Sequence, residues 1–270
     1  MKGRVLIIAG SDSGGGAGIQ ADIKAVTALD GFAMTAITAL TAQNTHGVHG
    51  VVGIEPAFIA QQIEVVLADL GADAIKTGML HSAAVIQAVA SALAAHAPAT
   101  PLVIDPVMVA KGGHRLLQAA AERSLIEQLL PRATLVTPNL PEAEALAGFA
   151  VANEADMARA GQAILAMGPA AVLVKGGHLE DSDAVIDLLV DAHGVTRFTH
   201  PRIATRSTHG TGCTLASAIA CGLAQRLTLA DAVTRARDYV RRAIETAPGF
   251  GGGHGPLNHA VTFNPDWRSL

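Results

Sequence analysis

Between residues 5 and 175 the chain alternates short apolar runs with longer stretches of helical periodicity. That alternation admits few folds. Successive parallel strands need a crossover between them, and the crossovers cover both faces of the sheet with helices. The apolar runs predict strands over residues 5–9, 33–40, 74–76, 102–105, 135–136 and 171–175. The intervening pattern predicts helices over 19–29, 56–70, 83–95, 116–130, 142–147 and 157–167, with Pro56 where a first-turn proline is tolerated. Residues 48–54 read as a hairpin partner for the strand before them. Residues 184–190 and 195–198 read as a second hairpin, joined by Asp191-Ala192-His193-Gly194. Helices over 215–224 and 229–247 then lead to the loop 248–255, where Pro248 stops the second of them. No repeat, linker or low-complexity tail divides the chain, so residues 1–270 are expected to form one α/β domain. The expected architecture is a three-layer sandwich with a mainly parallel central sheet and helices on both faces.

Half of the 270 residues are hydrophobic, enough for a large core. A net charge of -4 argues against a nucleic-acid or anionic-membrane partner, and 3% aromatic content leaves little for stacking bases. No segment reaches the roughly 20 uninterrupted apolar residues of a membrane span. The opening Met1-Lys2-Gly3-Arg4-Val5-Leu6-Ile7-Ile8 is too short for a signal peptide and runs into a glycine-rich loop, as a first strand would. The cysteines, Cys213 and Cys221, would stand about 12 Å apart on one helix, too far for a disulfide. Free thiols point to a reducing cytoplasm.

Chemistry-bearing residues gather just after the strands, at the edge where open α/β sheets place ligands. Gly10-Ser11-Asp12-Ser13-Gly14-Gly15-Gly16-Ala17-Gly18 follows the first strand, and its glycines suit close backbone approach. It is neither a Walker A motif nor a dinucleotide fingerprint. Asp12 and Asp22 can hydrogen-bond a polar substrate there, or serve as a turn residue and a solvated helix residue. Thr41-Ala42-Gln43-Asn44-Thr45 follows the second strand, and the Gln43 amide offers an acceptor and two donors in one plane, suited to an aminopyrimidine edge. Asp105 and Glu142 are carboxylates that could hold Mg²⁺ through water. Asn139 and Glu142 also fit a helix cap with a first-turn glutamate. Lys175-Gly176-Gly177-His178 suits phosphate contact.

Ser207-Thr208-His209-Gly210-Thr211-Gly212-Cys213 opens an apolar helical run. Small residues and glycines before a helix let N–H groups converge on an anion, where the helix N-terminus adds its partial positive charge. The same dipoles favour a thiolate at Cys213. Among the 11 histidines, His46 and His49 lack zinc-ligand spacing, and His178 and His209 adjoin the phosphate-type motifs.

Taken together, these motifs resemble the hydroxymethylpyrimidine/phosphomethylpyrimidine kinases of thiamine biosynthesis, within the ribokinase-like superfamily. The resemblance covers nearly the whole chain. It rests on AGSDSGGGAGIQAD from Ala9, ITALTAQNT from Ile37, KTGML from Lys76, DPVM from Asp105, TPNLPEA from Thr137, VKGGH from Val174, STHGTGCT from Ser207 and the late GHGPLNH from Gly253. It implies ATP-dependent phosphorylation of 4-amino-5-hydroxymethyl-2-methylpyrimidine and then of its monophosphate. Carried over, Gln43 would bind the aminopyrimidine, with Asp22, Gly10, Asp12, Met79 and Val107 around it. Lys175, Asn139, Thr208 and His209 would meet ATP, and Glu142 and Asp105 would hold Mg²⁺ through water. The backbone of Gly210, Thr211, Gly212 and Cys213 would form the anion hole, with Cys213 as base where many sugar kinases of the superfamily carry Asp. A homodimer is the expected assembly.

One departure is visible. The family commonly has Asp-Pro-Ser-Gly-Gly where this chain has Asp12-Ser13-Gly14-Gly15-Gly16, and loss of the proline is expected to loosen that loop. Two alternatives stand beside the main reading. A pyridoxine or pyridoxal kinase of the same superfamily would act on a ring of similar size, though Gln43 favours the aminopyrimidine. A non-catalytic pyrimidine or nucleotide sensor would have no use for intact Lys175, Glu142 and Cys213.

Overall fold

The computed structural model describes residues 1–108, 119–177 and 183–263. In chain order the strands are β1 (Arg4–Ala9), β2 (Phe32–Ile37), β3 (Ala39–Asn44), β4 (Gly47–Gly53), β5 (Ala74–Thr77), β6 (Leu102–Ile104), β7 (Leu135–Val136), β8 (Ala171–Lys175), β9 (Ala184–Asp191) and β10 (Gly194–Pro201). The helices are α1 (Gly18–Ala28), α2 (Pro56–Asp69), α3 (Ala83–His96), α4 (Ala119–Gln128), α5 (Leu140–Ala147), α6 (Glu154–Leu165), α7 (Thr211–Ala224) and α8 (Leu229–Glu245). Eight strands form one sheet in the order β10-β9-β8-β7-β6-β5-β1-β2. Pairing is parallel from β2 to β8 and antiparallel from β8 to β10. β3 and β4 form a separate antiparallel hairpin.

Alternation along the strands divides the interior in two. Leu6, Ile8, Ile75, Leu102, Ile104, Val136, Val172 and Val174 face α2 to α6. Val5, Ile7, Ala74, Val103, Leu135, Ala171 and Leu173 face α1, α7 and α8. This is the expected three-layer sandwich. Among the described residues no helix is long and apolar enough to cross a membrane.

The same alternation places the charged residues. Lys76 shares the parity of Ala74, Asp105 that of Val103, Thr137 that of Leu135, and Lys175 that of Leu173. Each therefore falls on the face covered by α7, in one row across the carboxyl ends of the parallel strands.

Several element boundaries differ from expectation. The strand expected over 33–40 ends at Ile37. Thr38 N–H donates to Ala9 O at 3.1 Å and its hydroxyl to Met79 O at 2.6 Å. The chain then resumes as β3, so Gln43 stands on a strand and not in a loop. The strand expected over 102–105 ends at Ile104. α7 begins at Thr211 and not at 215, which puts Gly212 and Cys213 inside its first turn. Of the helix expected over 116–130, residues 116–118 lie outside the described residues, as does His178.

Candidate active site

A cavity of about 760 Å³ opens along the carboxyl ends of the parallel strands, under the N-terminus of α7. Its wall contains every residue singled out in the sequence as a candidate except Asp22.

One end of the cavity is built by the loop after β1. Asp12 organises that loop: Oδ1 accepts from Gly14 N at 2.8 Å, while Oδ2 accepts from Gly16 N at 3.1 Å and Ala17 N at 2.8 Å. His209 Nε2 lies 2.8 Å from the same Oδ2. Burial would raise the Asp12 pKa, but the His209 bond and the backbone N–H groups outweigh it and hold the carboxyl below its ordinary value. Asp12 is thus the turn residue that the sequence allowed, with a histidine added. His209 belongs to this end of the cavity, which is remote from Lys175 in its contacts.

The expected loosening at Ser13 is not what the structure shows. The Ser13 hydroxyl donates to Gln43 O at 2.9 Å and accepts from Gln43 N at 2.8 Å, tying the loop to β3. Thr41 adds a hydroxyl bond to Ser11 O at 2.8 Å. These side-chain bonds restrain the loop where a proline would have restrained φ. The Thr41 hydroxyl, whose one proton serves Ser11 O, lies 3.1 Å from Gln43 Oε1, and the Gln43 amide nitrogen lies 3.5 Å from His209 Nε2. Gly10 sits where a Cβ would meet Met79 Sδ at 3.1 Å, so the two share one wall, with Val107 also on the cavity.

The other end centres on Lys175. Its Nζ lies 3.0 Å from Asp105 Oδ1 and 4.0 Å from Glu142 Oε2. Burial disfavours the Lys175 ammonium, yet Asp105 and Glu142 outweigh burial and raise its pKa. Asn139 and Glu142 form a capping box at the start of α5: Asn139 Oδ1 accepts from Glu142 N at 2.9 Å, and Glu142 Oε2 accepts from Asn139 N at 2.8 Å. The cap and the cavity role therefore coexist in one residue pair. Burial, with Asp105 nearby, pushes the Glu142 carboxyl up to about 7 against the opposing pull of Lys175.

The first turn of α7 faces this cluster. A Cβ on Gly212 would stand 3.3 Å from Lys175 Nζ and 3.6 Å from Asp105 Oδ2. Gly210 caps the helix at φ 80°, and a Cβ there would strike Gly16 O at 1.8 Å. Only glycine fits, and the two loops touch at that point. Thr208 and Thr211 line the cavity beside it.

Two residues depart from expectation. Cys213 is not poised as a thiolate: burial pushes its thiol up to about 12, with Asp22 and Asp105 adding to the rise and Lys76 and the Gly18 N–H opposing it. Desolvation outweighs the helix dipole here. Asp22 lies beneath the cavity wall, with no surface of its own, bound to Lys76 Nζ at 2.8 and 2.9 Å and to the Ser217 hydroxyl at 2.7 Å. Lys76 carried no assignment from the sequence. Its signal was present: a lysine at a core-facing parity of a short strand.

Asp105 and Glu142 fit a divalent cation that arrives with a nucleotide. They are two buried carboxylates against one ammonium, an excess of negative charge in one corner. Among the described residues no group of three or more His, Cys, Asp or Glu could enclose a metal alone. Mg²⁺ bound through one or two carboxylates, waters and substrate phosphates matches that donor set.

A glycine-bearing helix start, a lysine and paired buried carboxylates thus meet at the carboxyl ends of the parallel strands of a ribokinase-like kinase fold. The chain matches the phosphomethylpyrimidine kinase family over residues 12–258 and belongs to that family. It is 51% identical over 96% of its length to the thiamine biosynthesis bifunctional protein ThiED of Geobacter sulfurreducens, of which it spans 53%. It is 46% identical to the hydroxymethylpyrimidine/phosphomethylpyrimidine kinase of Bacillus subtilis, over 95% of this chain and 94% of that one. Among solved structures, the pyridoxal kinase from Staphylococcus aureus in complex with AMP-PCP and pyridoxal superposes with a TM-score of 0.88 at 35% identity, covering 97% of this chain and 94% of that one.

Proposed function

We propose that this kinase transfers the γ-phosphoryl group of ATP to 4-amino-5-hydroxymethyl-2-methylpyrimidine and then to the resulting monophosphate, giving the diphosphate used in thiamine biosynthesis. The observation that carries the reading is the continuity of one cavity from Gln43 to the Lys175–Asp105–Glu142 cluster, with the first turn of α7 between them.

Gln43 is the group that reads the acceptor. Its amide offers an N–H donor to a ring nitrogen of an aminopyrimidine and a carbonyl acceptor to the ring's amino group. Gly10, Met79 and Val107 form the apolar walls. In the first transfer the acceptor's hydroxymethyl oxygen bonds to the γ-phosphorus, the bond from that phosphorus to the bridging oxygen of ADP breaks, and the hydroxyl proton leaves. Lys175 and the N–H groups of residues 210–213 meet the charge on the transferred group, so most of the catalysis is positioning and charge neutralisation. Asn139 keeps its NH₂ donors for ATP phosphates, its oxygen being occupied by the cap. Asp105 and Glu142 would hold Mg²⁺ through water, which supplies further charge neutralisation when bound. Cys213 receives the hydroxyl proton in the first transfer. The second acceptor is a phosphate already mostly deprotonated at neutral pH and needs no base. A homodimer in the cytoplasm, with no nucleic-acid or membrane partner, completes the reading; exposed Leu40 and Val52 on the β3–β4 hairpin and the prevalence of two-fold dimers support the assembly.

The test is a product assay by mass, with Mg-ATP and either the hydroxymethylpyrimidine, its monophosphate or pyridoxine. Diphosphate from the pyrimidine series, with pyridoxine slower, is the expected result. Product from pyridoxine alone would reassign the acceptor to the vitamin B6 ring, and no product from any of the three would leave a ligand sensor.

A further inference from the structure

The row of side chains beside Lys175 contains a carboxylate that the transfer chemistry above does not use. Lys175 on β8 pairs with Asp187 on β9, and Asp187 pairs with Phe198 on β10. Residues directly opposite in an antiparallel pair share a face, with Cβ atoms about 5 Å apart. Leu173 and Leu189, paired in the same ladder, face α1, α7 and α8, so Lys175 and Asp187 face that way too. A lysine and an aspartate so placed are natural ion-pair partners. Among the described residues they are not paired with each other: Lys175 Nζ goes to Asp105 and Glu142 instead.

Asp187 is buried, and both its oxygens are taken. Oδ1 accepts from Gly176 N at 2.9 Å, which ties down the residue after Lys175. A Cβ on Gly176 would strike Ile186 O, so the chain there lies flat against β9. Oδ2 accepts from Arg237 Nε at 2.7 Å. Arg237 comes from α8 and is itself buried, its guanidinium carbon 5.5 Å from the centre of the Phe198 ring. Its Nη2 lies 3.4 Å from Val185 O. Helix α8 therefore lays a cation over the second and third members of the row. The first member, Lys175, is left at the cavity, which Asp187 and Arg237 also border.

We propose that Arg237 is a positioning residue for Lys175: it occupies Asp187 and so keeps that carboxylate from drawing the ammonium sideways, out of the path of the nucleotide phosphates. The inference rests on the reading of Lys175 as a group that meets those phosphates. A buried carboxylate stripped of its partner is costly, and a neighbouring cation relieves the cost. Across the ladder that cation is Lys175. Gly176 can stay bonded to Oδ1 in either case, so the oxygen released by loss of Arg237 is Oδ2. The arginine acts through the carboxylate, and touches neither substrate nor lysine.

The experiment is a double-mutant cycle on kcat/KM for Mg-ATP in the full-length protein, with the hydroxymethylpyrimidine saturating. Arg237→Met is expected to lower kcat/KM by about tenfold, and by less than about twofold in a Lys175→Met background. Adding Asp187→Asn to Arg237→Met removes the competing charge and should recover most of the loss. Equal losses in the two backgrounds would mean a general loosening of α8 and overturn the proposal. So would an enzyme that depends on Lys175 but is unaltered by Arg237→Met. If Arg237→Met does not fold, Arg237→Gln carries the same cycle, since it keeps an N–H for Asp187 and loses the charge. The ammonium is read separately, by NMR of ¹³Cε-labelled lysine with the Lys175 signal assigned from Lys175→Met. That signal should move in Arg237→Met and return when Asp187→Asn is added; a signal that stays in place overturns the proposal. If Lys175→Met itself spares the transfer, the phosphate reading falls, and the signal alone decides whether Arg237 governs where the ammonium points.

Discussion

Lys76 and Lys175 are the same residue type on the same face of one sheet, at the carboxyl ends of parallel strands, and the structure uses them in opposite ways. Lys76 has no exposure and holds both oxygens of a single carboxylate. Lys175 is 13% exposed and shares two carboxylates, one at 3.0 Å and one at 4.0 Å. The first pair is neutral and closed, and a buried, well-bonded pair of that kind is costly to break from one side. The second group is open and carries excess negative charge. Its lysine reaches the cavity from between those two buried carboxylates. What separates a fixture from a working group here is the number of carboxylates around the ammonium and its exposure, 0% against 13%.

The sharpest way to break this comparison is Lys175→Met. Loss of one charge-stabilising donor typically costs about 10²–10³-fold. We expect kcat/KM to fall by that amount for both transfers, because both use the same nucleotide end. Binding of the unphosphorylated pyrimidine, measured by calorimetry without nucleotide, should stay within about twofold, since its contacts lie at the Gln43 end. A loss confined to one transfer would place Lys175 on the acceptor and dissolve the distinction.

The sequence was legible where periodicity alone decides. Short apolar runs such as those of β1, β6 and β8 located the parallel strands and put the chemistry just after them. The candidate residues fell on one edge for the same reason. It was silent where long-range bonds decide. At Thr38 the hydroxyl bonds Met79 O, 41 residues away, which no local pattern shows; the expected strand ran three residues too far and left Gln43 in a loop. The loosened glycine loop was read from a missing proline, whereas the two bonds between Ser13 and Gln43 join residues 30 apart. The thiolate at Cys213 was inferred from a helix start, and that inference omits the burial which tertiary packing imposes. Lys76 was readable in principle: its parity in β5 is core-facing, and a lysine there needs a buried partner.

A smaller effect sharpens the comparison from the position between the two lysines. Burial raises the Cys213 thiol, and Lys76 opposes that rise. Proton acceptance typically contributes about 10²–10⁴-fold. With a thiol at about 12 the thiolate is scarce at neutral pH, so Cys213→Ala is expected near the low end, about 10²-fold in kcat for the first transfer. The second transfer, whose acceptor brings its own anion, should lose less than about fivefold. Single-turnover assays on the alcohol and the monophosphate separate the two. Equal losses would make Cys213 part of the anion hole and nothing more.

The smallest expected effect concerns the excess charge at the Lys175 end. Burial and Asp105 raise the Glu142 carboxyl well above its ordinary range in the free protein, against the pull of Lys175. Positive charge delivered with a nucleotide would favour the carboxylate and lower its pKa. Binding must then release protons, and the sign of the pH dependence follows. Below about 7 the proton has to leave before the carboxylate can act, so nucleotide affinity falls as pH drops, by at most about tenfold per unit. Above that value the affinity levels off. Calorimetric titration of Mg-ATP in two buffers of different ionisation enthalpy reads the released protons directly. Glu142→Gln removes the carboxylate's share and leaves only the proton that ATP itself loses, so the difference between the two proteins isolates Glu142. A wild-type protein that releases no more protons than Glu142→Gln would mean that this carboxylate serves the helix cap alone, and that Lys175 works with Asp105 as a simple pair.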